Sequence, residues 1–269
     1  MLFNKLGRRI PSEQCRVFRA SENDYYKLES FDHQYNDQHQ LATDLGFLRR
    51  SVPYQHVEAV HRDILSWIRS DENWANLGSS VHIPFSISMP DLLVDEGEQL
   101  NQQLLPVIES EFKKRGKGQF KATLQGSNSL ESEFTISTTS NYEKFVSDAR
   151  DNVVVGIYFP CAFQEYDIAS QRSQMLRLGK HERFNYCLSG HIEMSYSLAL
   201  FPNLLYSPNH YSPILCMSPL IHSDKRMIPV FKSYGPHLEF WLMSQMMTPD
   251  VTQVSEQWTG GLTIYATLN

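Results

Sequence analysis

A long run without formal charge dominates the pattern of hydrophobic and polar positions. Between Met194 and Ser223 the sequence contains no Asp, Glu, Lys or Arg. The run is long enough to span a membrane, but its prolines would break a helix and leave backbone groups without partners in lipid. These prolines are Pro202, Pro208, Pro213 and Pro219. We therefore expect the run to lie in the interior of a folded domain or against a partner protein.

The first third of the chain predicts a polar arm followed by a helix and a strand. Residues 1–50 mix short apolar groups with polar clusters and are typical of an irregular or extended segment. Apolar residues spaced by three and four predict an amphipathic helix over residues 54–70. Alternating apolar residues over 80–88 predict a strand, and Pro84 places that strand at the edge of a sheet.

A second amphipathic stripe predicts a helix over residues 95–115. Pro106 lies inside this stripe, so the helix is either kinked there or begins near that residue. Two strands are then predicted, over residues 119–125 and 131–139. The sequence between them, 126–129, is G-S-N-S and indicates a hairpin turn.

The centre of the chain predicts a helix, a strand and a second helix. Residues 141–150 fit a short helix that packs through aromatic and apolar side chains. The continuous apolar run 152–163 predicts a strand covered on both faces, as in the middle of a sheet. A further helix is predicted to follow over about 166–178.

The last part of the chain predicts more strands and one helix. Alternation of apolar and polar residues over 191–200 predicts a half-buried strand. A short strand is predicted over 227–232, and a final strand over the last ten residues. The segment 238–247 carries Glu239 as its only charge and predicts a buried or docking helix.

These elements favour the α+β class, with a mixed sheet, flanking helices and irregular proline-rich connections. Three regions are expected. They are a polar N-terminal arm (1–50), an acidic α+β region (51–150) and a charge-poor α+β region (151–269), and the last two either are separate or form one continuous domain.

Composition narrows the classes of function. The chain has 269 residues, 41% of them hydrophobic, which excludes disorder over its whole length. Its net charge is −6, and residues 51–100, with eight acidic and two basic side chains, account for all of it. Nucleic acid is not expected as a partner because phosphate binding needs concentrated Lys and Arg.

Neither a metal site nor a cofactor site is predicted. The four cysteines lie far apart and do not have the spacing of zinc ligands, which favours a reducing, cytoplasmic location. The sequence has no H-E-x-x-H, no glycine-rich nucleotide loop and no apolar leader at its start. We expect no membrane insertion, although peripheral association with a membrane complex is compatible with the sequence.

Four residues are weak candidates for catalysis. Cys161 follows the buried strand, where a following helix could activate a thiolate, and His191, His210, His222 or His237 in the same half could act as its base. His222 and Asp224 stand close together directly after the charge-free run. The sequence lacks the glycines of a nucleophile elbow, and the favoured interpretation is a buried, inert cysteine and a polar surface turn.

The charge-poor half is also rich in methionine and aromatic residues, which suit adaptable interfaces as well as irregular cores. The candidate partner-binding residues are Tyr206, Tyr211, Phe240, Trp241, Met243, Met246 and Met247. The sequence therefore predicts a non-enzymatic interaction protein, an adaptor or accessory subunit of a larger assembly of protein subunits, which could be membrane-associated or of the secretion type. The alternative is a hydrolase or transferase of unrecognised type that uses Cys161 or the region of His222.

Overall fold

The computed structural model describes residues 1–13, 15–18, 24–29, 35–115, 121–123, 130–207, 209–234, 237–248 and 251–268. In this part of the chain the α-helices are Tyr35–Asp44 (α1), Tyr54–Ser70 (α2), Glu96–Gln99 (α3), Leu105–Arg115 (α4), Tyr142–Asp151 (α5), Ile168–Met175 (α6) and His191–Leu200 (α7). A 3₁₀ turn at Leu77–Ser79 and a π-helical turn at Leu100–Leu104 complete the helical segments.

The strands are Ile83–Ile87 (β1), Lys121–Thr123 (β2), Phe134–Ile136 (β3), Val153–Gln164 (β4), Asn185–Leu188 (β5), Ile214–Cys216 (β6), Leu220–His222 (β7), Met227–Tyr234 (β8), His237–Ser244 (β9), Met246–Thr248 (β10), Val251–Thr252 (β11) and Trp258–Leu268 (β12). The main sheet has the order β1-β4-β12-β6-β8-β9-β2, and β5 also pairs with β12. Strand β12 is parallel to β6 and β2 is parallel to β9, whereas the other neighbours are antiparallel. This mixed sheet with its helices confirms the α+β class.

The sheet draws its strands from both sides of residue 150. Strand β1 pairs with β4 from Ile83 opposite Tyr158 to Ile87 opposite Val154. Since β1 lies at the edge of the sheet, the edge position predicted from Pro84 is confirmed. Helices α2 and α5 and strand β4 also lie where the sequence predicts them.

The prediction of a strand over 191–200 is wrong, because this segment is helix α7 and all ten of its side chains are buried. Alternating serines indicate a strand only if they face water. Here Ser197 Oγ donates to the carbonyl oxygen of Glu193 at 2.7 Å, one helical turn back. The helix begins after Gly190, whose N–H donates to Glu193 Oε1 at 3.0 Å.

The prediction of a helix over 238–247 is also wrong. Most of this segment is strand β9, which pairs with β8 from His237 opposite Tyr234 to Ser244 opposite Met227. Within β9, Leu238 and Phe240 are buried whereas Trp241 is exposed, as the two-residue period of a strand requires. Because the segment carries almost no charge, its sequence does not show the alternation of polar and apolar residues that normally marks a strand.

The described parts of the first fifty residues pack against the rest of the protein. Phe3 is fully buried against Trp74, with ring centroids 5.3 Å apart. Helix α1 lies where the sequence predicts only an irregular arm, and it buries Ala42 completely. The predicted hairpin turn 126–129 and part of the strand predicted over 119–125 lie outside the described residues.

The charge-free run lies largely in the interior, as predicted. Helix α7, residues 204–205 and residues 213–220 are buried. Tyr211 is an exception, with 60% of its surface exposed. Asn203, Asn209 and Ser223 are exposed as well, so the run reaches the molecular surface in its middle and at its end.

Candidate functional site

An open cleft of about 760 Å³ lies where the N-terminal arm, the loop before β6 and strands β8 and β9 meet. We call it the aromatic cleft. It is lined by Tyr26, Ser207, Asn209, His210, Tyr211, Ser212, Ile214, Lys232, Ser233, Tyr234, Met243 and Gln257. Its volume is in the range of ligand-binding clefts.

One wall of the cleft is a cluster of three tyrosines. Tyr26 and Tyr211 form a parallel backbone bridge, and the N–H of Lys27 donates to the carbonyl oxygen of Tyr211 at 3.1 Å. The ring centroid of Tyr211 lies 5.2 Å from that of Tyr25 and 5.9 Å from that of Tyr26. The arm therefore helps to position the loop before β6.

A second part of the lining comes from strand β8, where Lys232 lies against two aromatic side chains. Lys232 Nζ lies 3.8 Å from the ring centroid of Trp241 and 5.8 Å from that of Tyr234. These side chains share one face of the β8–β9 pair, because Lys232 stands opposite Glu239 and Val230 stands opposite Trp241. Lys232 and Tyr234 line the cleft, and Trp241, which contacts Lys232, borders it without being a lining residue.

The exposed aromatic side chains of the protein are concentrated here. Five aromatic side chains in the described part of the chain are exposed, and the four in or beside the cleft are Tyr25 (53%), Tyr211 (60%), Tyr234 (77%) and Trp241 (48%). The fifth is Phe18. Exposed aromatic clusters of this kind are typical of surfaces that bind a partner or a ligand.

The described lining of the cleft carries a positive formal charge and no negative one. None of the described residues that line it is Asp or Glu, and Lys232 contributes an ammonium group. Glu239 lies 3.5 Å from Lys232 Nζ but is not among the lining residues. Partial burial, and after it the charge of Glu256, raises the pKa of Tyr26, so its hydroxyl stays protonated at neutral pH.

The structure divides the predicted partner-binding residues into three groups. Tyr211 and Met243 line the aromatic cleft and Trp241 borders it. Phe240 is buried on the other face of β9 against Phe231. The remaining predictions are half-buried or undescribed: Tyr206 packs against the core, Met246 lies in β10, and the side chain of Met247 lies outside the described part of the structure.

Sequence reasoning missed Tyr26, Lys232 and Gln257. They belong to segments that lie far apart in the chain and meet only after the sheet has formed, so no local pattern links them. Tyr234, a further lining residue, has a usable signal, because the sequence S-Y-G-P-H predicts a turn directly after it and so a position near the surface.

Cys161 does not have the surroundings of a catalytic thiolate. It borders a small cavity of about 200 Å³ with Arg8 and Gln164, and no histidine is found among the described residues that line this cavity. Burial raises the pKa of the Cys161 thiol to about 11, against a smaller lowering effect of Arg8. The thiol is therefore protonated at neutral pH and a poor nucleophile.

His222 and Asp224 are near each other but do not form a catalytic pair. His222 Nδ1 accepts a hydrogen bond from the backbone N–H of Asp224 at 2.9 Å. The carboxylate of Asp224 instead binds the Arg226 guanidinium, whose hydrogen bonds lower the pKa of Asp224 to about 2. Ser223 donates its hydroxyl proton to Glu133, which lies 3.6 Å from His222 Nε2, so serine and histidine are not paired with each other.

His191 lies in a buried polar network. Its Nε2 is 2.6 Å from Gln99 Oε1 and 2.7 Å from Glu96 Oε2. His191 and Gln99 have no exposed surface, so a substrate in solvent does not reach them.

A second buried network begins two residues further along α7. The carboxylate of Glu193 accepts hydrogen bonds from Tyr142 Oη at 2.9 Å, from Thr263 Oγ1 at 2.8 Å and from the N–H of Gly190 at 3.0 Å. Burial raises the pKa of Glu193 even though these hydrogen bonds lower it. This network ties helices α5 and α7 to strand β12. Sequence reasoning missed it because the alternation over 191–200 places Glu193 on the polar face of a predicted strand.

Within the described ranges, no group of three or more His, Cys, Asp or Glu side chains is arranged to hold a metal ion. None of the helices described has the length and apolarity needed to cross a membrane. Comparison with known proteins finds no matching family, no matching curated protein and no matching solved structure.

Proposed function

We propose that this protein is a non-enzymatic protein–protein interaction protein, an adaptor or accessory subunit that binds another protein subunit through the aromatic cleft. The observation that carries the proposal is the concentration of exposed Tyr and Trp rings around one concave, donor-rich surface. Tyr and Trp are enriched at the centres of interfaces, where they supply much of the binding free energy.

The alternative, a hydrolase or transferase, has less support. Cys161 has a raised pKa and no histidine beside its cavity among the described residues. Asp224 binds Arg226, and His191 is enclosed in the core. These groups have separate surroundings, whereas catalysis would need a nucleophile, a base and an accessible substrate position together.

The proposal also covers the cellular compartment in which the protein acts. The described cysteines are all free, which supports a reducing compartment such as the cytoplasm. A peripheral position in a membrane-associated or secretion-type assembly fits the same features, because docking on another subunit needs only an exposed surface.

The proposal is tested by light scattering coupled to size-exclusion chromatography, with the protein extracted under mild conditions from the cells that make it. We expect a species heavier than a single chain. The double variant Tyr234→Ala/Trp241→Ala should shift the protein towards the mass of a single chain, because both side chains are exposed and their loss removes contacts without unfolding the protein.

The matched control is Leu176→Ala, which removes a side chain that is 60% exposed but does not line the cleft. It should leave the heavy species intact. A wild-type protein that elutes as a solitary chain and co-purifies with nothing would refute the proposal.

A further inference from the structure

We infer that the segment bound in the aromatic cleft is a proline-rich stretch of the partner in the extended polyproline II conformation. This inference rests on the proposed function and names the chemistry of the partner. It is argued from the rings that border the cleft, from the hydrogen-bonding groups between them and from the charge of the lining.

The rings suit proline because four exposed aromatic side chains lie in or beside the cleft, on the arm, the loop before β6 and the β8–β9 pair. One face of the Trp241 ring is covered by Lys232, and the exposed remainder is available to a partner. Tyr211, with Tyr25 beside it, faces the cleft from the loop and the arm, and Tyr234 and Trp241 border it from the sheet. Grooves bordered by aromatic rings are one recurring site where proline-rich segments dock, since the compact apolar pyrrolidine ring packs against aromatic faces. A polyproline II segment is already extended before binding, so little conformational entropy is lost.

The polar groups between the rings match the backbone of such a segment. Proline has no N–H, and a polyproline II helix has no internal hydrogen bonds, so the segment offers carbonyl acceptors and few donors. Lys232 can donate only, and the side chains of Asn209, Ser233 and Tyr234 make no hydrogen bond to another side chain or backbone group in the described part of the chain. These four side chains can donate to carbonyl groups in the cleft.

The charge of the lining also favours a segment that presents carbonyl groups. The described lining contains an ammonium group and no carboxylate, so it complements carbonyl dipoles and disfavours a basic segment. Glu239, the nearest acidic side chain to Lys232, is already paired with it. Glu29 lies just outside the lining, where Ser207 donates to it at 3.0 Å and His210 Nε2 lies 3.3 Å away, so a lysine- or arginine-rich peptide would find a carboxylate only at the rim among the described residues.

The test uses the full chain, labelled with ¹⁵N, and acetylated decaproline amide as the probe at millimolar concentration. Proton–nitrogen NMR spectra should show shifts of the Trp241 indole N–H and of the backbone amides around Lys232 and Tyr234. Trp241→Ala and Tyr234→Ala should each weaken binding about tenfold or more. Tyr234→Phe, which keeps the ring and loses the hydroxyl, should weaken it by a smaller factor, and Leu176→Ala should leave it unchanged.

Comparison probes separate proline recognition from other kinds of binding. A glycine–serine decapeptide of the same length and the linear sugar cellohexaose should produce at most much smaller shifts. Equal binding of the glycine–serine peptide would indicate pairing with a strand edge, tighter binding of the sugar would indicate a carbohydrate site, and either result would overturn the inference. The absence of shifts at the cleft with decaproline would also overturn it.

The two proposals can fail separately. If decaproline does not bind but the cleft variants still release the protein from its native assembly, the interaction role stands and the chemistry of the segment is wrong. If decaproline binds in the cleft but the native protein is a solitary chain, the recognition chemistry stands and the subunit role is wrong.

Discussion

The ammonium group of Lys232 lies 3.8 Å from the centre of the Trp241 ring, on the face that β8 and β9 share beside the aromatic cleft. An ammonium group at this distance is attracted by the negative face of the indole. The contact holds the lysine against the sheet, with its side chain only 17% exposed, and keeps the indole in a fixed orientation next to the cleft.

Lys232→Gln should lower the free energy of unfolding by about 0.5–1 kcal/mol, because it removes the cation from Trp241 and the ion pair with Glu239. Urea unfolding followed by circular dichroism measures this difference. Lys225→Gln is the matched control, since Lys225 is exposed and has no ion pair in the described structure. If the two variants are equally stable, the contact does not stabilise the fold.

Glu193→Ala should destabilise the protein by about 3–5 kcal/mol, because it leaves the buried donors of Tyr142, Thr263 and Gly190 without their acceptor. That loss is a large part of the stability of an ordinary domain. Denaturant titration at pH 7 measures it. A loss below about 1 kcal/mol would mean that water or a neighbouring group replaces the carboxylate.

The pH dependence of stability should show the titration of Glu193. Because burial raises its pKa in the folded state, the folded protein keeps this proton to higher pH than the unfolded chain does. Its contribution to stability is therefore fully present below the unfolded pKa of about 4.3 and is lost as the pH rises through the folded value.

Glu193→Gln, which cannot titrate, is the reference for this effect. The unfolding free energy of the wild type minus that of Glu193→Gln should fall as the pH rises from about 4 towards neutrality. A difference that stays constant, or grows, over this range would show that the carboxyl group does not have a raised pKa.

Cys161 should react slowly with iodoacetamide in the folded protein. With a pKa of about 11, roughly one thiol in a thousand is ionised at pH 8, so labelling should be on the order of 10²-fold slower than that of a free cysteine. A Cys15→Ser background removes the other partly exposed thiol, and mass spectrometry follows the modification. Rapid labelling at pH 8 would restore Cys161 as a candidate nucleophile.

The elements that are predicted correctly from the sequence are those whose apolar positions form a simple local pattern. Helix α2 has an apolar stripe with a polar opposite face, and strand β4 is apolar throughout because both of its faces are covered. Their positions follow from local spacing alone. By contrast, helix α7 is buried on every side, so its serines and Glu193 do not mark a solvent face and the helical period disappears.

The aromatic cleft is harder to predict for a different reason. Tyr26, Tyr211 and Tyr234 come from three distant segments, and only the bridge between the arm and the loop before β6 brings the first two together. The sequence shows that aromatic residues are abundant in the second half of the chain. Which of them are exposed depends on strand register, which places Trp241 outward and Phe240 inward.

Strand β12 lies between β4 and β6 in the sheet, although it follows both of them in the chain. During translation, each of those two strands therefore has one unpaired edge until Trp258–Leu268 has left the ribosome. Open edges beside apolar surface pair readily with other nascent chains. This topology therefore delays closure of the sheet to the last step of synthesis, and slowing translation shortly before β12 would lengthen the period in which aggregation competes with folding.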